Sequence, residues 1–118
     1  MKKLLIAFLM CLALVSVAQA QESSDILAIT SDGYVPTTGY KSAWVTGVWV
    51  QTDGTNLCTI DLKDGGTSGT SRFQMTVLGA TRHGGYNFFY KLPFAQNIYG
   101  DITCSGTCTV YVQYQLRN

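Results

Sequence analysis

Charge is scarce in this chain. Only 13% of its 118 residues are Asp, Glu, Lys or Arg, and the formal net charge is +1. No run of Lys and Arg makes a basic patch, so nothing points to nucleic-acid binding by phosphate neutralisation. Histidine occurs once, as His83 in Arg82-His83-Gly84-Gly85. A lone histidine, without a Cys/His set at ligand spacing, gives no reason to expect a metal. A nucleophile elbow is also lacking, and Gly65-Gly66-Thr67-Ser68-Gly69 has no lysine after it, so it is not a phosphate loop. Asp53, Asp61, Asp64 and Asp101 could pair for glycoside hydrolysis only if two carboxyls lay about 5–9.5 Å apart. Asp in and beside turns is more simply explained by local hydrogen bonding. The expectation is a protein with no catalytic residue, no cofactor and no metal. Helical periodicity is missing too: residues 21–118 show no apolar spacing of i, i+3, i+4 and i+7.

The chain has one long apolar run, at its start. Lys2 and Lys3 precede an apolar stretch over residues 4–17, and Ala18-Gln19-Ala20 follows as a small-x-small cleavage signature. The run falls short of the roughly 20 residues that span a bilayer. Residues 1–20 therefore read as a signal peptide and residues 21–118 as one domain. A membrane role would arise only if the leader stayed uncleaved. Lys2 and Lys3 are two of the eight basic residues, so the exported part keeps six against seven acidic ones. The expected location is periplasmic, extracellular or on a virion surface.

The remainder reads as β-structure. Residues 42–50, SAWVTGVWV, are β-branched and aromatic, with Gly47 marking a bulge or a close backbone approach. Both faces of this run are apolar, so Trp44 or Trp49 is expected in the core. Residues 57–62, 71–79 and 86–94 continue the pattern, with Ile60 and Leu62, then Phe73, Met75 and Val77, then Phe88 facing inward. A possible first strand at 26–30 and two closing strands bring the count to about seven. Their spacing argues for a single antiparallel β-sandwich or jelly-roll-like domain.

The two closing strands carry the firmest signal. Ile98, Gly100, Ile102 and Cys104 share one face, and Cys108, Val110, Val112 and Tyr114 share one face. A three-residue Ser-Gly-Thr loop between them predicts a hairpin, with Gly106 free to take a positive φ. Export implies an oxidising compartment. Across such a hairpin Cys104 and Cys108 would lie within bridging range, and they are the expected disulfide. Cys58 is then left over as an unpaired or intermolecular thiol, or else is the partner of one of the other two.

Aromatic residues are plentiful: two Trp, seven Tyr and five Phe. Trp44, Tyr86, Tyr90, Tyr99 and Tyr111 are candidates for an interface or ligand platform, because exposed rings stack on sugars and are enriched at protein interfaces. Gly47-Val48-Trp49-Val50, Thr59-Ile60-Asp61-Leu62, the tip at 65–70, Leu92-Pro93, Ile98-Tyr99 and Thr109-Val110-Tyr111-Val112 occur in the order typical of small virion proteins. Over roughly residues 45–113 the chain resembles the small β-sandwich structural and decoration proteins of bacteriophages. That resemblance implies a non-enzymatic structural protein that self-associates or joins other structural subunits. A secreted carbohydrate- or protein-binding module, with a glycan as partner, is the alternative.

Overall fold

The computed structural model describes residues 24–35 and 42–117, so the leader expected at 1–20 lies outside the described residues. Eight strands are present among them: β1 (Asp25–Ile29), β2 (Gly33–Val35), β3 (Ser42–Thr52), β4 (Cys58–Asp64), β5 (Thr70–Val77), β6 (His83–Phe94), β7 (Ile98–Cys104) and β8 (Cys108–Arg117). A single 3-10 turn at Gly79–Thr81 precedes β6. The strands form two antiparallel sheets. Sheet A has the order β1-β8-β3-β6, and sheet B has the order β2-β7-β4-β5.

Alternation decides which side chains meet between the sheets. On β4, Cys58, Ile60 and Leu62 are buried while Thr59, Asp61 and Lys63 alternate with them. On β8, Cys108, Val110, Val112 and Tyr114 are buried in the same way. These residues belong to one hydrophobic core shared by both sheets, and Phe73, Met75, Phe88 and Ile102 pack against it from partly buried positions. Burial pushes the Tyr114 phenol up from its ordinary 10.0, with Asp25 on the neighbouring strand adding to the shift. The open side between edge strands β5 and β6 is closed by rings. Phe73 lies 5.0 Å from Phe88 and 5.7 Å from Tyr86, centroid to centroid.

Strand β3 corrects the expectation that a tryptophan enters the core. Its register slips between Val45 and Gly47 against β8, leaving Thr46 as an extra residue. An extra residue reverses the alternation. Ala43 and Val45 point inward before the slip, and Val48 and Val50 point inward after it. Trp44 and Trp49 fall between these and are only half-buried. Trp49 lies along sheet A over two glycines. A Cβ at Gly47 would stand 2.6 Å from Trp49 Cη2, and a Cβ at Gly85 would collide with the Trp49 ring.

The expected closing hairpin is also corrected. β7 belongs to sheet B and β8 to sheet A, so residues 105–107 cross between sheets. Gly106 is not among the glycines with positive φ. It serves close approach instead, because a Cβ there would strike the Asp53 and Asn56 side chains. The expected loop at 52–56 likewise crosses between sheets, from β3 to β4. Only the tip between β4 and β5 closes a hairpin where one was expected.

The disulfide changes with the topology. Cys108 is bonded to Cys58, and Cys104 is free, in place of the expected Cys104–Cys108 pair. Cys58 projects inward from sheet B and Cys108 inward from sheet A, with Cα atoms 6.5 Å apart. The bridge therefore ties the two sheets. It spans a sequence separation of 50 residues. Closing a loop of that length stabilises by about 4 kcal/mol in the chain-entropy account, against about 2 kcal/mol for the short loop expected.

Candidate interaction surface and cysteine cluster

The five candidate aromatics do not form one platform. Trp44 and Tyr111 lie on the outer face of sheet A, both half-buried. The Trp44 ring is held between two cations, with Lys91 Nζ 4.6 Å and Arg117 Cζ 4.3 Å from its centroid. Tyr86 sits on edge strand β6, where it meets Phe73 and Phe88. Tyr99 is on the outer face of sheet B, edge-on to Tyr34 at 5.2 Å. Partial burial, with Asp32 and Asp101 close by, pushes the Tyr99 phenol up.

Tyr90 occupies a different kind of place. Val45 pairs with Leu92 and Gly47 with Asn87, so Thr46 alone opposes Phe88, Phe89, Tyr90 and Lys91. Four residues against one make β6 bulge away from β3. At the crest, Phe89 is 92% and Tyr90 84% exposed, with their rings edge-to-face at 5.0 Å. Phe89 was not anticipated from the sequence. Its signal was present in Phe88-Phe89-Tyr90, three aromatics in a row, which alternation cannot bury on one face. Pro93 lacks an N–H, and Lys91 places a charge on this edge. Both oppose addition of a further strand there. The bulge is thus suited to contact through rings rather than through backbone pairing.

The four aspartates considered for catalysis each have structural partners. Asp61 accepts from Ser71 Oγ at 2.6 Å. Asp64 accepts from the Ala95 and Gln96 N–H groups at 3.0 and 2.8 Å, fastening the β6–β7 turn. Asp101 pairs with Lys63 at 2.6 Å, and this bond raises the lysine above its ordinary value. Asp61 and Asp101 are cross-strand partners on the open outer face of sheet B. His83, at the start of β6, is exposed.

Asp53 organises the corner where the sheets are bridged. Its Oδ1 accepts from the Thr55 and Asn56 N–H groups, each at 2.8 Å. Its Oδ2 accepts from Asn56 Nδ2 at 2.8 Å and from the Thr107 N–H at 3.2 Å. These donors, the Asn56 N–H foremost, hold the carboxyl well below the usual carboxylate range. Ser105 Oγ donates to Asn56 Oδ1 at 2.9 Å, so both crossover loops are sewn together. The consequence is chemical. Cys58, Cys104 and Cys108 place their three sulfur atoms within 4.8 Å of one another. Cys58 and Cys104 are direct partners in the β4–β7 ladder. The Gly106 N–H donates to Cys104 Sγ at 3.4 Å, and Cys104 is partly exposed. A shallow pocket of about 210 Å³ opens beside the bridge, lined by Gln51, Thr52, Asp53, Thr107, Cys108 and Thr109. Three cysteine sulfurs are a soft donor set for a metal only when all are reduced. With Cys58 bonded to Cys108, one thiol remains among the described residues.

Among the described residues, no helix is long and apolar enough to cross a membrane. No protein-family model matches the chain, and no curated protein matches it either.

Proposed function

We propose that this chain is an exported, non-enzymatic structural protein that self-assembles or decorates a larger assembly, using the β6 bulge and the outer face of sheet A. The observation that carries the reading is the pair Phe89 and Tyr90, exposed at 92% and 84% on an edge strand. Two large rings set fully in water gain free energy by being covered. Other copies of the same chain are the favoured cover, because residues 21–118, with six basic residues against seven acidic ones, are close to neutral and offer little repulsion between them. The strand pairing supports a finer reading of the fold. β1 pairs with β8, β2 with β7, β3 with β6 and β4 with β5, as in one long hairpin rolled up. Such pairing favours reading the fold as a jelly roll, an architecture shared by capsid and lectin domains. A virion surface is the setting suggested by the resemblance to phage β-sandwich proteins. Export rests on the leader at 1–20, and the cross-sheet disulfide suits an oxidising compartment.

Intact mass and sedimentation velocity of the exported protein test this. Loss of residues 1–20 and a large, concentration-dependent species are expected. A Phe89→Ser, Tyr90→Ser double variant should then sediment as a folded monomer. A monomer at every concentration in the unmutated protein would remove the reading.

A second reading, a secreted carbohydrate- or protein-binding module, is favoured by Trp49 and Tyr111. They are cross-strand neighbours on the outer face of sheet A, placed for a sugar ring to stack on. Glycan-array binding that is lost in Tyr111→Ala would support it, and an array without hits would oppose it.

A further inference from the structure

We propose that Cys58, Cys104 and Cys108 form a thiol–disulfide exchange site in which one bridge migrates among three sulfurs. Two independent features of the fold bring the sulfurs together. The β4–β7 register sets Cys104 directly opposite Cys58. The crossover at 105–107, tied to Asp53 and Asn56, returns the chain so that Cys108 faces both. All three sulfur atoms then lie within 4.8 Å of one another, close enough for each pair to bond after a small shift.

The step balances within the protein. Cys104 loses its proton, and its thiolate attacks one sulfur of the Cys58–Cys108 bridge. Attack at Cys58 forms Cys58–Cys104 and breaks the bond to Cys108, which leaves as thiolate and takes up a proton. Attack at Cys108 forms Cys104–Cys108 and releases Cys58. One S–S bond is made and one broken, and no oxidant or reductant is consumed. The products differ mechanically. Cys58–Cys108 and Cys104–Cys108 join sheet B to sheet A, whereas Cys58–Cys104 lies wholly within sheet B and leaves the sheets without a covalent tie. Cys104 is the partly exposed member, whereas the bridged pair is buried, with Cys58 at 0% and Cys108 at 6% exposure.

Peptide mapping without reduction, on single serine variants of the full oxidised chain, tests the proposal. Cys104→Ser should keep Cys58–Cys108. Cys58→Ser should form Cys104–Cys108, and Cys108→Ser should form Cys58–Cys104, each with the mass loss of one disulfide and neither remaining sheet cysteine open to N-ethylmaleimide, label on Cys11 of the leader being scored separately. Label on both remaining sheet cysteines in either of the last two variants, with circular dichroism showing the fold retained, would overturn it. The unmutated protein provides an arm that needs no variant to fold. It is held at about pH 8, quenched in acid, denatured and labelled. Label divided between Cys104 and at least one of Cys58 and Cys108 is expected, with less division in a sample held acidic throughout. Label on Cys104 alone in both samples would contradict migration.

Discussion

The two sheets share an interior but differ on their outer faces. Sheet B turns out Thr59, Asp61 and Lys63 on β4 and Tyr99, Asp101 and Thr103 on β7. There Thr59 and Thr76 share a 2.8 Å hydrogen bond, and Lys63 pairs with Asp101. Beyond the strand ends, Leu57 and Leu78 are its exposed aliphatic residues. Sheet A turns out Trp44, Trp49 and Tyr111 and carries Phe89 and Tyr90 on its edge bulge. Apart from the Tyr34–Tyr99 ring pair, sheet B's outer face is polar and bonds to itself across strands. An aromatic face gains by being covered, which is why the proposed assembly surface lies on sheet A.

The largest expected effects should not distinguish the sheets at all. Phe94→Ala in sheet A should cost about 3–5 kcal/mol, and Ile60→Ala in sheet B about 2–5 kcal/mol, by chemical denaturation. Both side chains are buried in one core, at 1% and 0% exposure. A negligible cost in one sheet would show that the core is not shared.

Outer-face changes should separate the sheets. Gly85→Val drives a side chain into Trp49 and should cost about 1–3 kcal/mol. Thr103→Val, on the exposed outer face of sheet B, should stay within about 0.5 kcal/mol. Equal costs would erase the contrast.

Acid should weaken the corner that joins the sheets. Asp53 has its pKa depressed in the folded protein below the ordinary 3.8. Its contribution is therefore fully present above that ordinary value and is lost as pH falls through the folded one. Melting temperature should drop on acidification below the ordinary value, and Asp53→Asn should flatten that part of the profile. An unchanged profile in the variant would show that the loops are held by other means. The smallest effect on stability belongs to Phe89→Ser and Tyr90→Ser. Both positions are exposed, so denaturation should shift by no more than about 0.5 kcal/mol while association is lost.

Much of the interior was legible in the sequence. The inward sets on β4, β5, β7 and β8 follow from alternation, which is local. What was not legible depended on register or on distant strands. Trp44 and Trp49 were misplaced because both faces of β3 are apolar, and only the extra residue at Thr46 decides between them. Gly47 signalled a bulge there but not its effect on phase. The cysteine pairing failed for a topological reason. Cys104 is near Cys108 in sequence, yet β4 lying beside β7 brings Cys58 into the same corner. Strand β2 was missed because Gly33–Val35 is three residues long and adjoins turn chemistry at Ser31-Asp32.

Amide hydrogen exchange, compared between dilute and concentrated protein, tests the assembly surface most directly. Assembly through sheet A predicts added protection in β6, centred on residues 88–91, and on the adjoining strands of sheet A, with sheet B unchanged. Added protection confined to β4 and β7, or none despite a larger sedimenting species, would contradict it.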